Sequence, residues 1–191
     1  MLDRPLPEDR AQRGLVRDLA ALDQALYEAV TVTRTPTLDS ALRRLSAAAD
    51  HSKISFVVAG FLALRPGRAR RAAALGVAAV GVASTTANLL GKRLVRRPRP
   101  HRAEDSPFPG RHVPMPASAS FPSGHTASAV AFAAAVGPAF PAATVPLGLL
   151  ACAVGYSRIH TGVHYPGDVI AGAVLGTGAA AAVLAAAGWD N

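Results

Sequence analysis

The sequence predicts an all-α fold, a multi-pass transmembrane helical bundle of about five spanning helices, six at most, preceded by N-terminal amphipathic helices. Three observations predict it. Long uncharged stretches recur through the second half of the chain, and charge is almost absent beyond residue 111. The first fifty residues, by contrast, carry leucines at helical spacing among charged residues.

Taken in order, Leu15, Leu19, Leu22 and Leu26 alternate with Arg17, Asp18, Asp23 and Glu28, so residues 11–30 read as an amphipathic helix. Thr35, Pro36 and Thr37 break it, and Leu38, Leu42 and Leu45 begin a second. Both are expected on the membrane surface or against the bundle. No apolar run follows the N-terminus, so a cleaved signal peptide is not expected. Residues 54–64 form a short apolar run that spans only if Ser52 and Lys53 are drawn in and the lysine snorkels.

Residues 72–90 are uncharged and match the ~20 residues that a helix needs to cross hydrocarbon. Residues 126–157 are uncharged too, but Gly137, Pro138 and Pro141 interrupt them, which predicts two helices joined by a tight turn. Residues 169–189 make the last run, and Gly172 with Gly176 gives the spacing that lets helices approach closely in lipid. An Ala-rich soluble bundle is the alternative, but such a bundle keeps a charged outer face. The chain thus divides into an interfacial segment, residues 1–51, and a transmembrane catalytic domain, residues 52–191.

Half of the 191 residues are apolar and 17% are charged, which excludes general disorder. One cysteine, Cys152, rules out an internal disulfide framework and a thiolate metal cluster. A net charge of +8 points to anionic partners. Eighteen of the 20 basic residues are Arg, Lys53 and Lys92 being the exceptions, and from residue 112 to 189 the charged residues are Arg158 and Asp168.

Alternating crossings bring three polar clusters to one face: KRLVRRPRP at 92–100, FPSGH at 121–125 and SRIHTGVHYPGD at 157–168. Singly, each has a plain explanation: a basic flank or nucleic-acid patch, a helix cap at Ser123, a structural pair between His164 and Asp168. Together they describe a phosphate site. Lys92 as a point charge and Arg99 and Arg158 as planar donors would clamp phosphoryl oxygens. A helix starting at Pro122 or Ser123 would aim free N–H groups of Ser123, Gly124 and His125 at the same anion, with Gly124 permitting close approach. The chain supplies no carboxylate cluster able to hold magnesium, so no metal and no cofactor are expected. His164 would serve as nucleophile with Asp168, at the positive end of the last helix, fixing its tautomer. Pro166 argues against a continuous helix from His164, so the pair would meet where the chain folds back at the helix entrance. His125 would be the acid for the leaving alkoxide.

The pattern K-x6-RP, PSGH and SR-x5-H-x3-D resembles the three-part signature of the type 2 phosphatidic acid phosphatase (PAP2) superfamily, here Lys92, Arg99 and Pro100; Pro122, Ser123, Gly124 and His125; Ser157, Arg158, His164 and Asp168. The resemblance covers about residues 72–189. It implies a metal-independent integral membrane phosphatase of lipid phosphates with a phosphohistidine intermediate. By that resemblance His164 attacks phosphorus, Asp168 orients it, His125 protonates the departing alcohol and then activates water, and Lys92, Ser123, Arg99 and Arg158 hold the oxygens. Family members commonly have six crossings against the five read here.

Other histidines rank below these: His160 reads as a loop residue, and His51, His101 and His112 as solvated or interfacial. Arg97 precedes Pro98 but lies too close to Lys92 for the signature; with Arg93 and Arg96 it reads as an attractor of anionic headgroups, at ~1 kcal/mol each. A lipid-to-lipid phosphotransferase would use the same phosphohistidine. A vanadium-haloperoxidase-like oxidoreductase would use the same pocket, but those enzymes resemble larger soluble proteins. A scaffold or nucleic-acid binder leaves His125, His164 and Asp168 without work, so the expected partners are a lipid phosphate and the bilayer, not nucleic acid; a homo-oligomer is compatible with the sequence. Phosphatidic acid, phosphatidylglycerol phosphate, polyprenyl diphosphate and a polyprenyl-linked sugar phosphate all offer an anionic head and an apolar tail, and Arg and Ala richness suggests a high-GC bacterium using polyprenyl carriers. Arg34, Arg43, Arg44, Lys53 and the loop from Lys92 to Arg111 outnumber Arg65, Arg68, Arg70 and Arg71 on the other face, which leans toward a cytoplasmic site in the cell membrane.

Overall fold

The structure is a computed structural model that describes residues 7–102 and 108–189; part of the basic loop, residues 103–107, lies outside the described residues. Every regular element among the described residues is helical. Helix α1 is Pro7–Val32, α2 Pro36–Ala48, α3 Lys53–Ala63 and α4 Arg68–Thr85. A π-helical turn, Thr86–Gly91, carries α4 into a last short turn, α5, Lys92–Leu94. After an extended segment come α6, Gly124–Val136, α7, Pro141–His160, and α8, Pro166–Ala186.

Among the described residues, three helical stretches are long and apolar enough to cross a membrane: Arg68–Leu94, Pro141–His160 and Pro166–Ala186. Helix α3, with 11 residues, is only about 16 Å long, well short of the ~30 Å hydrocarbon core. Helix α6 has 13 residues and gains one 3-10 turn, Gly137–Ala139, at the predicted Gly-Pro break. The fourth helix starts at Arg68 rather than Ala72, because Gly67 turns the chain at positive φ and Arg68 and Arg71 find carbonyl partners at Pro138 and Ala187. Both guanidinium groups also lie over the Trp189 ring, so this cluster marks the end of the bundle away from the three motifs.

Helices α4, α6 and α8 form the centre, packed through alanines such as Ala79, Ala83, Ala127, Ala131 and Ala180. Gly172 and Gly176 set the spacing of α8 on α6. A Cβ on Gly172 would lie 2.5 Å from the Ser123 carbonyl oxygen, and one on Gly176 would strike the Ala127 carbonyl. Only glycine lets the two backbones approach this closely. That contact fixes the start of α6, where PSGH ends, against the start of α8, where Asp168 lies.

Helix α1 leaves Leu15, Leu19, Leu22 and Leu26 exposed, a stripe that no other part of the chain covers among the described residues. It is held instead at Tyr27, which is buried and edge-on to Tyr165, and at Asp23, which accepts from the Gly167 N–H. Buried Arg111 locks the α1–α2 corner through Thr31 and Thr33 carbonyls and Asp39. His160, expected in a loop, is the last residue of α7; it is buried, with Nε2 2.9 Å from Thr35 and 3.1 Å from Asp39. It tethers α2 to the bundle because an imidazole in an apolar interior needs polar partners.

Candidate active site

The motif ends of α4, α6, α7 and α8 open on one cavity of about 220 Å³. Lys92, Arg99, Gly124, His125, Arg158 and His164 line it, together with Asp50, Asn88 and Ser118. The two motif imidazoles, His125 and His164, and three cations from stretches far apart in sequence therefore face the same space, with His51 also at its wall.

His164 follows the turn that closes α7, where its N–H and that of Val163 bond the Arg158 carbonyl. Asp168 is the third residue of α8 and accepts from the Tyr165 N–H at 2.9 Å, so the chain folds back at the helix entrance as Pro166 requires. The ring Nδ1 of His164 lies 3.4 Å from Asp168 Oδ2. On the other side of the ring, Arg99 Nη1 is 3.4 Å from Nε2. A guanidinium only donates, so Nε2 carries the lone pair and Nδ1 the proton. Burial is the main force holding this ring's pKa down, to about 4; the Asp168 hydrogen bond opposes it and the charges of Arg99 and Arg158 add to it. The ring is therefore neutral near pH 7.

Asp168 is fully buried and more heavily partnered than the motif alone conveys. Ser120 donates to Oδ2, and Arg97 Nη1 donates to Oδ1 at 3.0 Å. Arg97 also pairs with Asp23 at 2.6 Å and lies 4.0 Å above the Tyr165 ring. The expectation that Arg97 serves headgroups is thus overturned: it supports the Asp168 carboxylate. Arg93 and Arg96 remain exposed.

The cations differ in how free they are. Lys92 Nζ donates to Asn88 at 2.7 Å and Ser118 at 3.1 Å, leaving one N–H. Arg99 uses most of its fork on the Ser118, Ala119 and Val163 carbonyls and the Ser118 hydroxyl. Arg158 is buried and gives Nη1 to Ser46, at 2.5 Å, while its Nε has no hydrogen-bond partner among the described residues. Arg158 lines the cavity, and a guanidinium there suits an anion.

The start of α6 differs from expectation. The helix begins at Gly124, and the Ser123 N–H is spent on the Asp168 carbonyl at 2.9 Å, so it is not a free anion donor. Ser123 makes no side-chain cap; its buried hydroxyl accepts from Thr126. Gly172 presses on this segment, which is why the serine is drawn into the α6–α8 contact. Gly124 and His125 do face the cavity.

Asp50 is the participant that no sequence signal identified. It lies in a 3-10 turn, Asp50–Ser52, and its Oδ1 is 2.7 Å from His125 Nε2 and 3.9 Å from Arg158. Ser46, Asp23, Ser118 and Ser120 were equally silent, whereas Asn88, four residues before Lys92 on a helix, had a legible spacing.

The sequence matches the family model described as the PAP2 superfamily over residues 73–191, so Asp23, Ser46 and Asp50 lie outside the matched region. The chain is 36% identical over 172 residues to the decaprenylphosphoryl-5-phosphoribose phosphatase of Mycobacterium tuberculosis (strain ATCC 25618 / H37Rv), covering 88% of each. It is 44% identical over 98 residues to the lipid A 1-phosphatase of Rhizobium etli, covering 47% of this chain and 39% of that one. Its fold superposes on the crystal structure of Aquifex aeolicus LpxE with a TM-score of 0.72 at 26% identity, covering 86% of this chain and 95% of that one. The Bacillus subtilis transmembrane PAP2 type phosphatidylglycerolphosphate phosphatase shares the fold, with a TM-score of 0.70 at 22% identity over 91% of this chain and 88% of that one.

Proposed function

The chain belongs to the PAP2 superfamily, and from that membership we propose a metal-independent integral membrane phosphatase that cleaves a phosphomonoester from a polyprenyl-linked sugar phosphate. The observation that carries this reading is the convergence of His125, His164, Lys92, Arg99 and Arg158 on one cavity. The substrate class rests on the relative that matches most of both chains and is named for a decaprenyl-linked phosphoribose.

In this mechanism the neutral His164 Nε2 attacks phosphorus while Asp168 holds Nδ1 and its proton. Lys92, Arg99 and Arg158 neutralise the equatorial oxygens, the task a metal performs elsewhere. The N–H groups at the start of α6, around Gly124 and His125, add to this charge, and Ser123 acts through the seating of that helix. His125 gives a proton to the departing sugar oxygen, then takes one from the water that cleaves the phosphohistidine.

Helices α3, α4 with its π turn, α6, α7 and α8 make five crossings in this reading, the short α3 and α6 being accommodated by local thinning of the bilayer. Residues 1–51 lie in the interface, with the leucine stripe of α1 toward lipid, and residues 52–191 form the catalytic domain. The Arg and Lys count leans toward a cavity on the cytoplasmic side of the cell membrane.

The test is free-phosphate release by the purified chain in detergent with excess EDTA. Phosphatidic acid, phosphatidylglycerol phosphate, polyprenyl diphosphate and polyprenyl-linked phosphoribose are compared. The last should be hydrolysed with the highest kcat/KM, unaffected by the chelator. Release from none of them would overturn the reading.

A further inference from the structure

The acid–base role of His125 needs more than a ring near the cavity. To act as an acid, its imidazole must hold a second proton against burial and beside Arg158 and Lys92, both of which repel it. Arg99 and His164 share the cavity and add no negative charge. Asp168, the carboxylate of the signature, is committed to His164, Ser120, Tyr165 and Arg97. Among the described residues, one carboxylate touches His125, and it is Asp50, at 2.7 Å.

The backbone around Asp50 is shaped for this contact. His51 and Ser52 sit consecutively in the left-handed region, at φ 56° and 57°, an arrangement that residues with side chains rarely adopt. These two residues join α2 to α3 and line the cavity with Asp50. A turn relaxed to ordinary φ would carry the Asp50 carboxylate elsewhere. Such conformations persist where surrounding structure fixes them, and they cluster at functional sites.

We propose that Asp50, supplied by the N-terminal segment, is the positioning residue of His125 and keeps a proton on Nε2 throughout the reaction, so that Nδ1 alone exchanges protons with substrate. This inference rests on the phosphatase reading above. A carboxylate only accepts, so the 2.7 Å contact assigns a proton to Nε2. Nδ1 has no hydrogen-bond partner among the described residues. As the bond from phosphorus to the alkoxide breaks and that from phosphorus to His164 Nε2 forms, the proton on Nδ1 goes to the alkoxide. In the second step Nδ1 takes a proton from water as the water oxygen bonds phosphorus and the bond to His164 breaks. Each histidine then has its own carboxylate: Asp168 keeps the nucleophile in one tautomer, and Asp50 offsets part of what burial and the two cations cost the charged acid. Asp50 lies outside the region that the family model matches, whereas His125 lies within it.

The test compares purified full-length wild type, Asp50→Asn, Asp50→Glu and His125→Ala on two probes, dodecyl phosphate and p-nitrophenyl phosphate. The first has a leaving alkoxide that needs protonation; the second has a phenolate that scarcely does. The quantity read is kcat/KM, which reports the steps through departure of the leaving group. Asp50→Asn should lower it about 10- to 100-fold on dodecyl phosphate but less than about threefold on p-nitrophenyl phosphate. The alkaline limb of its pH profile should move to lower pH, and Asp50→Glu should recover part of the loss. The ratio of the two probes within one preparation does not depend on how much enzyme is folded. Equal losses on both probes with an unmoved pH limb would make Asp50 merely structural and overturn the proposal, as would no loss at all. A gain in activity would also overturn it, by making Asp50 a competitor for the anion site. Wild-type activity in His125→Ala would instead bring down the phosphatase mechanism itself, and this inference with it.

Discussion

Arg97 Nη1 lies 3.0 Å from Asp168 Oδ1, and through its other terminal nitrogen Arg97 reaches Asp23 on α1 at 2.6 Å. A residue outside the signature thus ties an N-terminal helix to the carboxylate beside the His164 ring. Asp168 is fully buried and Arg97 is 27% exposed, so the pair is shielded but not dry. Replacing Arg97 with Met leaves a buried carboxylate short of a charged donor, at a cost of about 1–3 kcal/mol. Arg97→Met should therefore lower the melting temperature in detergent and reduce kcat, while Asp23→Asn has a smaller effect on both. A thermal melt and a phosphate-release assay on the two variants check this ordering; equal effects would detach Arg97 from Asp168.

The depressed pKa of His164 gives a pH signature. Its folded value of about 4 lies below the ~6.5 of an unfolded imidazole, so between these values the unfolded chain binds more protons. Stability contributed by the neutral ring is present above pH 6.5 and is lost as pH falls toward 4, by roughly 3 kcal/mol in total. Melting temperatures at pH 7 and pH 4.5 should differ more for wild type than for His164→Gln. The same drop in both proteins would show that the ring is not held neutral by the fold.

The contact of α8 on α6 predicts a steric effect. A side chain on Gly176 meets the Ala127 carbonyl and the Ala131 nitrogen, backbone atoms that cannot move aside cheaply. Gly176→Val should destabilise by about 1–3 kcal/mol or more and, by shifting the start of α6 off Asp168, reduce turnover. Gly178→Val, where a Cβ meets open space, is the control and should leave the melting temperature within about 2 °C. Equal melting temperatures for the two variants would refute the packing account.

Much of this molecule was legible in its sequence, and for physical reasons. Uncharged runs at 72–90, 126–157 and 169–189, the second interrupted at Gly137 to Pro141, mark helices because hydrocarbon excludes charge and proline ends hydrogen-bonded turns. Leu15 to Leu26 marked a helix by period alone, and the structure has one over Pro7–Val32. Lys92, Arg99, His125, Arg158 and His164 were legible as a set because phosphate chemistry needs cations and imidazoles together. The rest depended on long-range contacts that leave no local trace. Asp50 reaches His125 across 75 positions, and Arg97 reaches Asp168 across 71. Ser123 was misread as an N–H donor because nothing in PSGH reveals that the Asp168 carbonyl accepts that hydrogen. Arg97 read as a headgroup ligand by composition, yet it binds Asp168, and Arg102 and Arg111, for which the sequence offered no individual role, bind carbonyls at Thr161, Gly162, Thr31 and Thr33. An Arg fork stapling irregular backbone and one meeting phosphate look identical in a string of letters.

The most direct measurement is rapid quenching of the purified chain with a ³²P-labelled polyprenyl-linked sugar phosphate, followed by analysis of the label on protein. The account predicts an acid-labile, alkali-stable phosphohistidine that forms in wild type, is absent in His164→Ala and maps to His164. Phosphate release by His164→Ala at the wild-type rate, or label carried on another residue, would contradict it.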